Sequence, residues 1–254
     1  ALLYLLYKLS ALKSWQLIVA HFNHKLRKDA NKDQKFVKDL ANQLGLKFIS
    51  AEEDIKKFAQ KNKSSIEEAG REARHNFLHR IAKEHKSKVI VLAHTADDQV
   101  ETIVLNWLRG GQIRALSGMK EYGDKLWRPL LHIPKKELID FLKSYNLKYR
   151  LDKSNEQLEY TRNRVRKQVL PVLELVNPGF RSAILKNASL FTKLGGIIED
   201  QLKSVLHKVV SKHNNRIVEF NKRLFAKLPA YLQNELILWA ISELKGDRKN
   251  IKSS

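Results

Sequence analysis

The stretch VIVLAHTADDQVET, residues 89–102, decides the fold. Its apolar half has the character of a buried strand and ends at His94. The two adjacent carboxylates Asp97 and Asp98 follow, and Glu101 comes three residues after the second. From Val100 the apolar positions Ile103, Val104, Trp107 and Leu108 recur at helical spacing, which predicts an amphipathic helix ending near Gly110. A strand running straight into a helix is the unit of a parallel α/β sheet covered on both faces. Two readings of the acidic residues stay open at this point. Carboxylates in a first helical turn are stabilised by the dipole, and Asp-x-x-Glu resembles a cap. Ligands of open parallel sheets, however, bind beyond the carboxyl ends of the strands, where His94 lies. Three carboxylates and an imidazole there suit Mg²⁺ or a cationic amine.

The same alternation extends outward on both sides. ALLYLLYKLSALK at residues 1–13 predicts a core helix, with Lys8 and Lys13 and no charged leader to suggest a signal peptide. WQLIVAHF predicts a strand, followed by a helix that spaces Phe36, Val37, Leu40, Ala41 and Leu44 on one face and stops at Gly45. LKFISAE reads as another strand. A long helix to about His85 starts at Ser64 or Ser65, each offering Ser-x-x-Glu, the capping-box arrangement. VAHFNHKLR places His21, Asn23 and His24 just after the first apolar run. Two strand ends reading Ala-His in one predicted sheet suggest a shared crevice. After residue 134 helices dominate: PKKELIDFLKSYNL, TRNRVRKQVLPVLELVN interrupted or restarted at Pro171, residues 181–213, and LPAYLQNELILWAISELKG. The expected organisation is an α/β domain over 1–177 and an all-α domain over 178–254.

Composition narrows the function. The 254 residues carry 48 Lys+Arg against 27 Asp+Glu, a net charge of +21, so a polyanionic partner is expected; a Lys-rich composition without function is the alternative. No cysteine is present, which excludes thiolate metal sites, Cys-ligated clusters and Cys nucleophiles within these residues. No run reaches the roughly 18 apolar residues of a membrane span. A cytoplasmic protein is the default. Arg71 and Arg74 share a helix face at i, i+3. Arg162, Arg164, Arg166 and Lys167 crowd six residues, a density that suits forked recognition of phosphate. WLRGGQIRALSGM supplies a basic, glycine-containing loop after the acidic helix.

Together VAHFNHKLR, EEAGREARHNFL, AHTADDQVET, RGGQIRALSGM, WRPLL and SNEQLEYTRNRVRKQVLP resemble, in order and spacing, the tRNA(Ile)-lysidine synthetase family of PP-loop ATP pyrophosphatases. The resemblance runs from residue 1 to about 180, and LPAYLQNELILWAI is similar to the family's helical middle domain. It implies a Rossmann-like fold and ATP-dependent joining of free lysine to the wobble cytidine of the isoleucine tRNA with a CAU anticodon, through an adenylated cytidine. It implies that His94, Asp98, Glu101, Arg74 and Arg166 are catalytic. His21, Asn23, His24, Arg74, Arg109 and Arg166 would bind ATP, Asp98 and Glu101 lysine, and Arg162, Arg164 and Lys167 the tRNA. Asp98 would also hold Mg²⁺, leaving Asp97 to the helix end. Family members are often dimers, so a homodimer is implied as well. The family's phosphate loop, Ser-Gly-Gly-x-Asp-Ser, is not among these residues. The expectation is that it precedes Ala1 and that a further portion follows GDRKNIKSS; a pseudo-enzyme without ATP binding is the alternative. Two rivals stay open: a tRNA 2-thiolation enzyme, against which the lack of cysteine counts, and a non-catalytic basic RNA-binding module.

Overall fold

The computed structural model describes residues 1–26, 29–150, 161–214 and 216–245. LDKSNEQLEY (151–160) and the terminal GDRKNIKSS lie outside them, as does Arg27 of VAHFNHKLR. The chain forms two compact units. One comprises Ala1–Leu105 with Gly118–Leu185, the other Asn106–Ser117 with the residues from Lys186 onward. The first unit thus runs a few residues past the expected boundary at 177, and the second takes in the glycine-containing loop.

The first unit opens with α1 (Leu2–Lys13), β1 (Ile18–Asn23), α2 (Ala30–Gln43), β2 (Lys47–Glu52), α3 (Ile55–Asn62), α4 (Ile66–Glu84), β3 (Ile90–Val91) and α5 (Ala96–Leu108). β1 pairs in parallel with β2, from Ile18 opposite Lys47 to Asn23 opposite Glu52. After α6 (Ile113–Leu116) come β4 (Tyr122–Gly123) and β5 (Leu126–Trp127), the latter parallel to β3 and antiparallel to β4. Parallel strands interleaved with helices are the predicted class. The two Ala-His pairs, however, do not end strands of one hydrogen-bonded sheet: His21 lies within β1 of the β1–β2 ladder, and His94 follows β3 of the β3–β5–β4 ladder by three residues.

Local sequence explains most boundaries. α4 starts at Ser65, whose hydroxyl accepts from the Glu68 amide at 3.2 Å while the Glu68 carboxylate accepts from the Ser65 amide at 3.3 Å. Of the two capping registers the chain takes the second, which satisfies two orphan donors at once. α2 ends where Gly45 turns to φ +67°, a conformation that favours glycine. The sequence reading overlooked α3, capped by Asp54 accepting from the Lys57 amide at 3.3 Å. It also overlooked the β4–β5 hairpin, whose turn residues Asp124 and Lys125 both take positive φ, as a two-residue type I′ turn requires. α1 is not the core helix expected. Its apolar residues surround the helix, so only Leu6 is buried and Leu12 is 80% exposed.

α7 (Lys135–Ser144) precedes a helical run in three parts: α8 (Thr161–Arg164), a π turn (Val165–Val169) and α9 (Leu170–Val176). The Leu170 amide reaches back to the Val165 carbonyl, five residues away. Pro171 explains the break, since it has no N–H to continue an i→i−4 ladder. Of the two expectations at Pro171, the helix is interrupted, by a π turn just before it, and not restarted there. Val165 and Leu170 pack on Val100, Val104 and Leu105 of α5, with Leu173, Phe180 and Ile184 around them. Burying each valine contributes about 1.5–3 kcal/mol, and this cluster sets α5 against the arginine-bearing segment. The expected α5 stripe is only partly right: Val100, Ile103 and Val104 are buried, whereas Trp107 and Leu108 are exposed.

The second unit is mainly helical, with α10 (Phe180–Val209) entering it and α11 (Lys222–Ala226) and α12 (Ala230–Lys245) within it. The helix predicted over 181–213 stops early. The consecutive β-branched residues at 209 and 210 suit a strand, and a hairpin of β6 (Val210–His213) and β7 (Val218–Phe220) forms instead. Leu202, Val209 and Leu236 make its core with Phe220, Phe225 and Trp239. Among the described residues no helix is long and apolar enough to cross a membrane.

Candidate active site at the start of α5

Asp98 and Glu101 lie on the first turns of α5, and His94, Arg166 and, from α4, Arg74 come to them, so the five expected catalytic residues share one charged cluster. Thr95 precedes the helix, and the box closes between it and Asp98. The Asp98 carboxylate accepts from the Thr95 amide and hydroxyl, both at 2.9 Å, while the Thr95 hydroxyl accepts from the Asp98 amide at 3.4 Å. This corrects the assignment of the cap to Asp97. Asp97 instead accepts from the backbone amide of Lys135 at 2.7 Å, so it caps the start of α7, and it pairs with Arg181 at 3.0 Å. The other carboxylate oxygen of Asp98, Oδ1, faces the arginines, at 3.1 Å from the Arg162 guanidinium.

Glu101 lies one helical turn further on and is 2% exposed. Arg166 grips it with a fork, Nε to Oε1 at 2.5 Å and Nη2 to Oε2 at 2.9 Å, and Arg162 Nε donates to Oε2 at 2.7 Å. Such bidentate pairing is the strong form of the interaction. The hydrogen bond to Glu101 raises the Arg166 pKa above its ordinary value, against the opposing effect of burial. Glu101, expected to bind lysine, is held here by two arginines. Arg162, expected on the tRNA side, also turns inward, whereas Arg164 and Lys167 are exposed.

His94 closes the other side. Its Nδ1 accepts from Arg128 Nε at 3.2 Å. Burial pushes its pKa down to about 4, with Arg128, Arg74 and Arg162 adding to the effect against the pull of Asp98. Arg74 is held below its usual value by burial and by Arg71 and Arg162. Its Nε is buried and has no hydrogen-bond partner. His75, next to it, is also pushed down to about 4, by burial and then by Arg74 and Arg71. Guanidinium charge outweighs carboxylate charge here, and an anion is the missing counterpart.

The expected nucleotide contacts at β1 are more engaged than predicted. Asn23, 2% exposed, donates to Asn31 and Gln34 of α2 at 2.9 and 3.0 Å and accepts from the Lys25 amide at 3.0 Å. These bonds tie the strand end to α2. His24 packs against α4 at Gly70, where an added Cβ would lie 3.2 Å from Nδ1, and edge-on to Phe22. His21 is half-buried and its pKa is lowered by burial, against Asp33. Arg109 is exposed and belongs to the second unit.

Among the described residues no three His, Asp or Glu side chains come together as a metal-ligand set. The carboxylates beside His94 are occupied by amides and guanidinium groups, so they do not by themselves make an Mg²⁺ cage. The sequence reading also passed over Arg128 and Gln99. Gln99 is buried and clamps Met119, its amide donating to the Met119 carbonyl at 3.0 Å and accepting from the Met119 amide at 2.8 Å. A polar residue on the Ala96, Val100, Ile103 stripe was the available signal.

Comparison with known proteins adds the following. A sequence family described as a PP-loop domain matches residues 1–173. The bifunctional protein TilS/HprT of Listeria monocytogenes serovar 1/2a is 35% identical over 250 residues, covering 92% of this chain and 39% of that protein. The tRNA(Ile)-lysidine synthase of Geobacter sulfurreducens is 34% identical, covering 92% and 50% respectively. That of Dehalococcoides mccartyi is 30% identical, covering 99% and 55%. The chain thus spans about half the length of such relatives, or less. Among solved structures, the U34-tRNA thiolase NcsA from Methanococcus maripaludis, determined with its 4Fe-4S cluster, shares the fold. Its TM-score is 0.57 at 17% identity, over 74% of this chain and 68% of that one.

Proposed function

The chain belongs to the PP-loop domain family, and we propose that it carries the catalytic centre of an ATP-dependent ligase. This ligase joins free lysine to the wobble cytidine of the isoleucine tRNA with a CAU anticodon, in the cytoplasm. The observation that carries the reading is the cluster at the β3–α5 junction. There Arg74, with its unpartnered buried Nε, lies beside His94, Asp98 and the Glu101–Arg162–Arg166 network. The names of the relatives support the isoleucine tRNA and lysidine; lysine, the wobble cytidine and the CAU anticodon follow from the family resemblance of the motifs.

In the first half-reaction the cytidine C2 oxygen attacks the α-phosphorus of ATP, an O–P bond forms, and pyrophosphate leaves. In the second, the lysine ε-amine attacks C2, AMP leaves, and one amine proton passes to a base. Arginines held in a partly buried site spread the phosphate charge in both steps. Arg74 is free to take an anion, and Arg166 is aimed by its fork on Glu101. Asp98, whose side chain is a quarter exposed, is the carboxylate of the cluster offered to the lysine ammonium group. Glu101 positions Arg162 and Arg166 and does not touch substrate. His21, Asn23 and His24 remain on the nucleotide side of this proposal, with Asn23 acting through the strand end it fixes. Mg²⁺ usually binds through one or two carboxylates plus substrate phosphates, so it belongs with ATP; no step is derived through it. Residues 1–177 would perform the chemistry, while the helical residues from 178 and the exposed Arg164 and Lys167 meet the tRNA, with a homodimer as the assembly.

Incubation of the protein with isoleucine tRNA, ATP and labelled lysine tests this. Label in the tRNA, with one pyrophosphate per lysine, is expected. Intact binding without label would leave only an RNA-binding module.

A further inference from the structure

Arg128 offers its site a constraint that no sequence motif conveys. It is 8% exposed, and its guanidinium is held on two sides: Nη1 donates to the Lys120 carbonyl at 2.9 Å and Nε to His94 Nδ1 at 3.2 Å. Its own amide donates to the Glu121 carbonyl at 2.8 Å, which fixes the backbone beneath it. A guanidinium has only donors and keeps its proton at any ordinary pH. The imidazole nitrogen facing it must therefore be the acceptor, and in a neutral ring the proton sits on the other nitrogen.

We propose that Arg128 is a positioning residue that locks His94 in the Nε2–H tautomer, so that His94 serves the site as a hydrogen-bond donor through Nε2 and not as a base. In the lysine-ligating reading above, on which this role in the reaction rests, His94 then stabilises negative charge on a phosphate or carbonyl oxygen. The amine proton then goes to another acceptor. Electrostatics agree with a neutral imidazole, because burial and three arginines disfavour its charged form. A histidine with both nitrogens open to solvent would populate either tautomer.

The experiment is two-bond ¹H–¹⁵N correlation spectroscopy on protein labelled with ¹⁵N-histidine, near neutral pH. His94 is assigned as the ring system lost in His94→Gln. Its Nδ1 is expected to show the far-downfield shift of an unprotonated nitrogen and its Nε2 that of a protonated one. In Arg128→Met, the two nitrogens should move towards a tautomer-averaged pattern, with Arg128→Lys between the two. An Nδ1–H pattern in the unaltered protein, or a pattern unchanged in a folded Arg128→Met, overturns the proposal. Because the unaltered protein is read directly, an unfolded variant does not decide the matter. Failure of lysine ligation would overturn the reading of the reaction without touching the tautomer.

Discussion

Arg166 closes both guanidinium arms on Glu101, 65 residues away in sequence, with Arg162 sharing one of the same oxygens. A buried carboxylate held in this way is costly to remove, because two cations then confront each other with no counterion. Glu101→Ala is expected to cost about 3–5 kcal/mol of stability, nearer the lower figure because both arginines keep about a quarter of their surface in solvent. Urea unfolding measures it. Glu101→Gln should retain more stability yet lose lysine incorporation at least tenfold, since Arg166 is no longer aimed.

Asp97 and Asp98 should separate cleanly. Asp97→Asn weakens the cap on α7 and the pair with Arg181, costing about 1 kcal/mol, with turnover close to normal. Asp98→Asn should abolish lysine incorporation and leave tRNA affinity within about twofold. Thermal melts beside filter binding and labelled-lysine assays discriminate them. Near-normal lysidine formation by Asp98→Asn would remove Asp98 from the mechanism.

The two depressed histidines set an acid limit. His94 and His75 titrate at about 4 in the folded chain against an ordinary 6.5. Below 6.5 the unfolded state binds protons that the folded state does not, so stability falls as pH drops from 6.5 towards 4 and levels off beneath. Above 6.5 neither contributes. A His75→Gln, His94→Gln double variant should therefore show a flatter stability profile across that window than the unaltered protein.

Gly118 and Gly110 offer a controlled pair. Both take positive φ, +74° and +72°, but a Cβ at Gly118 would fall 2.7 Å from the Gln99 amide nitrogen, whereas nothing lies within 4 Å of one at Gly110. Gly110→Ala should cost about 1 kcal/mol from backbone strain alone. Gly118→Ala should cost roughly 1–3 kcal/mol more, through loss of the Gln99–Met119 clamp. Chemical denaturation of both variants checks the difference.

Arg164 and Lys167 face outward. Replacing either with alanine should weaken tRNA binding at all sequences alike and reduce the salt-dependence slope by about one. Arg162→Ala should instead lose turnover, because its guanidinium is committed to Asp98 and Glu101.

Features with local causes were legible in the sequence. The Ser65–Glu68 box, the stop at Gly45 and the strand ending near His94 depend on residues within a few positions of one another. The hairpin at Asp124–Lys125 was not legible, because positive φ at both positions is imposed by strand pairing rather than by a glycine or asparagine signal. Nor was the partition of the carboxylates. Asp97 is drawn to Lys135 and Arg181, and Glu101 to Arg166, by packing between distant segments. Nothing local to WRPLL marks Arg128, since its partner His94 lies 34 residues away.

The π turn before Pro171 has a consequence for how this segment tolerates change. It holds one residue more than an ordinary helical turn. In an ordinary helix one extra residue would rotate everything downstream by about 100°, whereas the π turn absorbs it locally. Deleting a single residue within Val165–Val169 would therefore relax the turn to regular helix and leave Leu170 packed against α5, so that Arg162 and Arg166 stay in register with Glu101. A one-residue deletion should be tolerated here and not in the regular turns of α5, where nothing absorbs the change of phase.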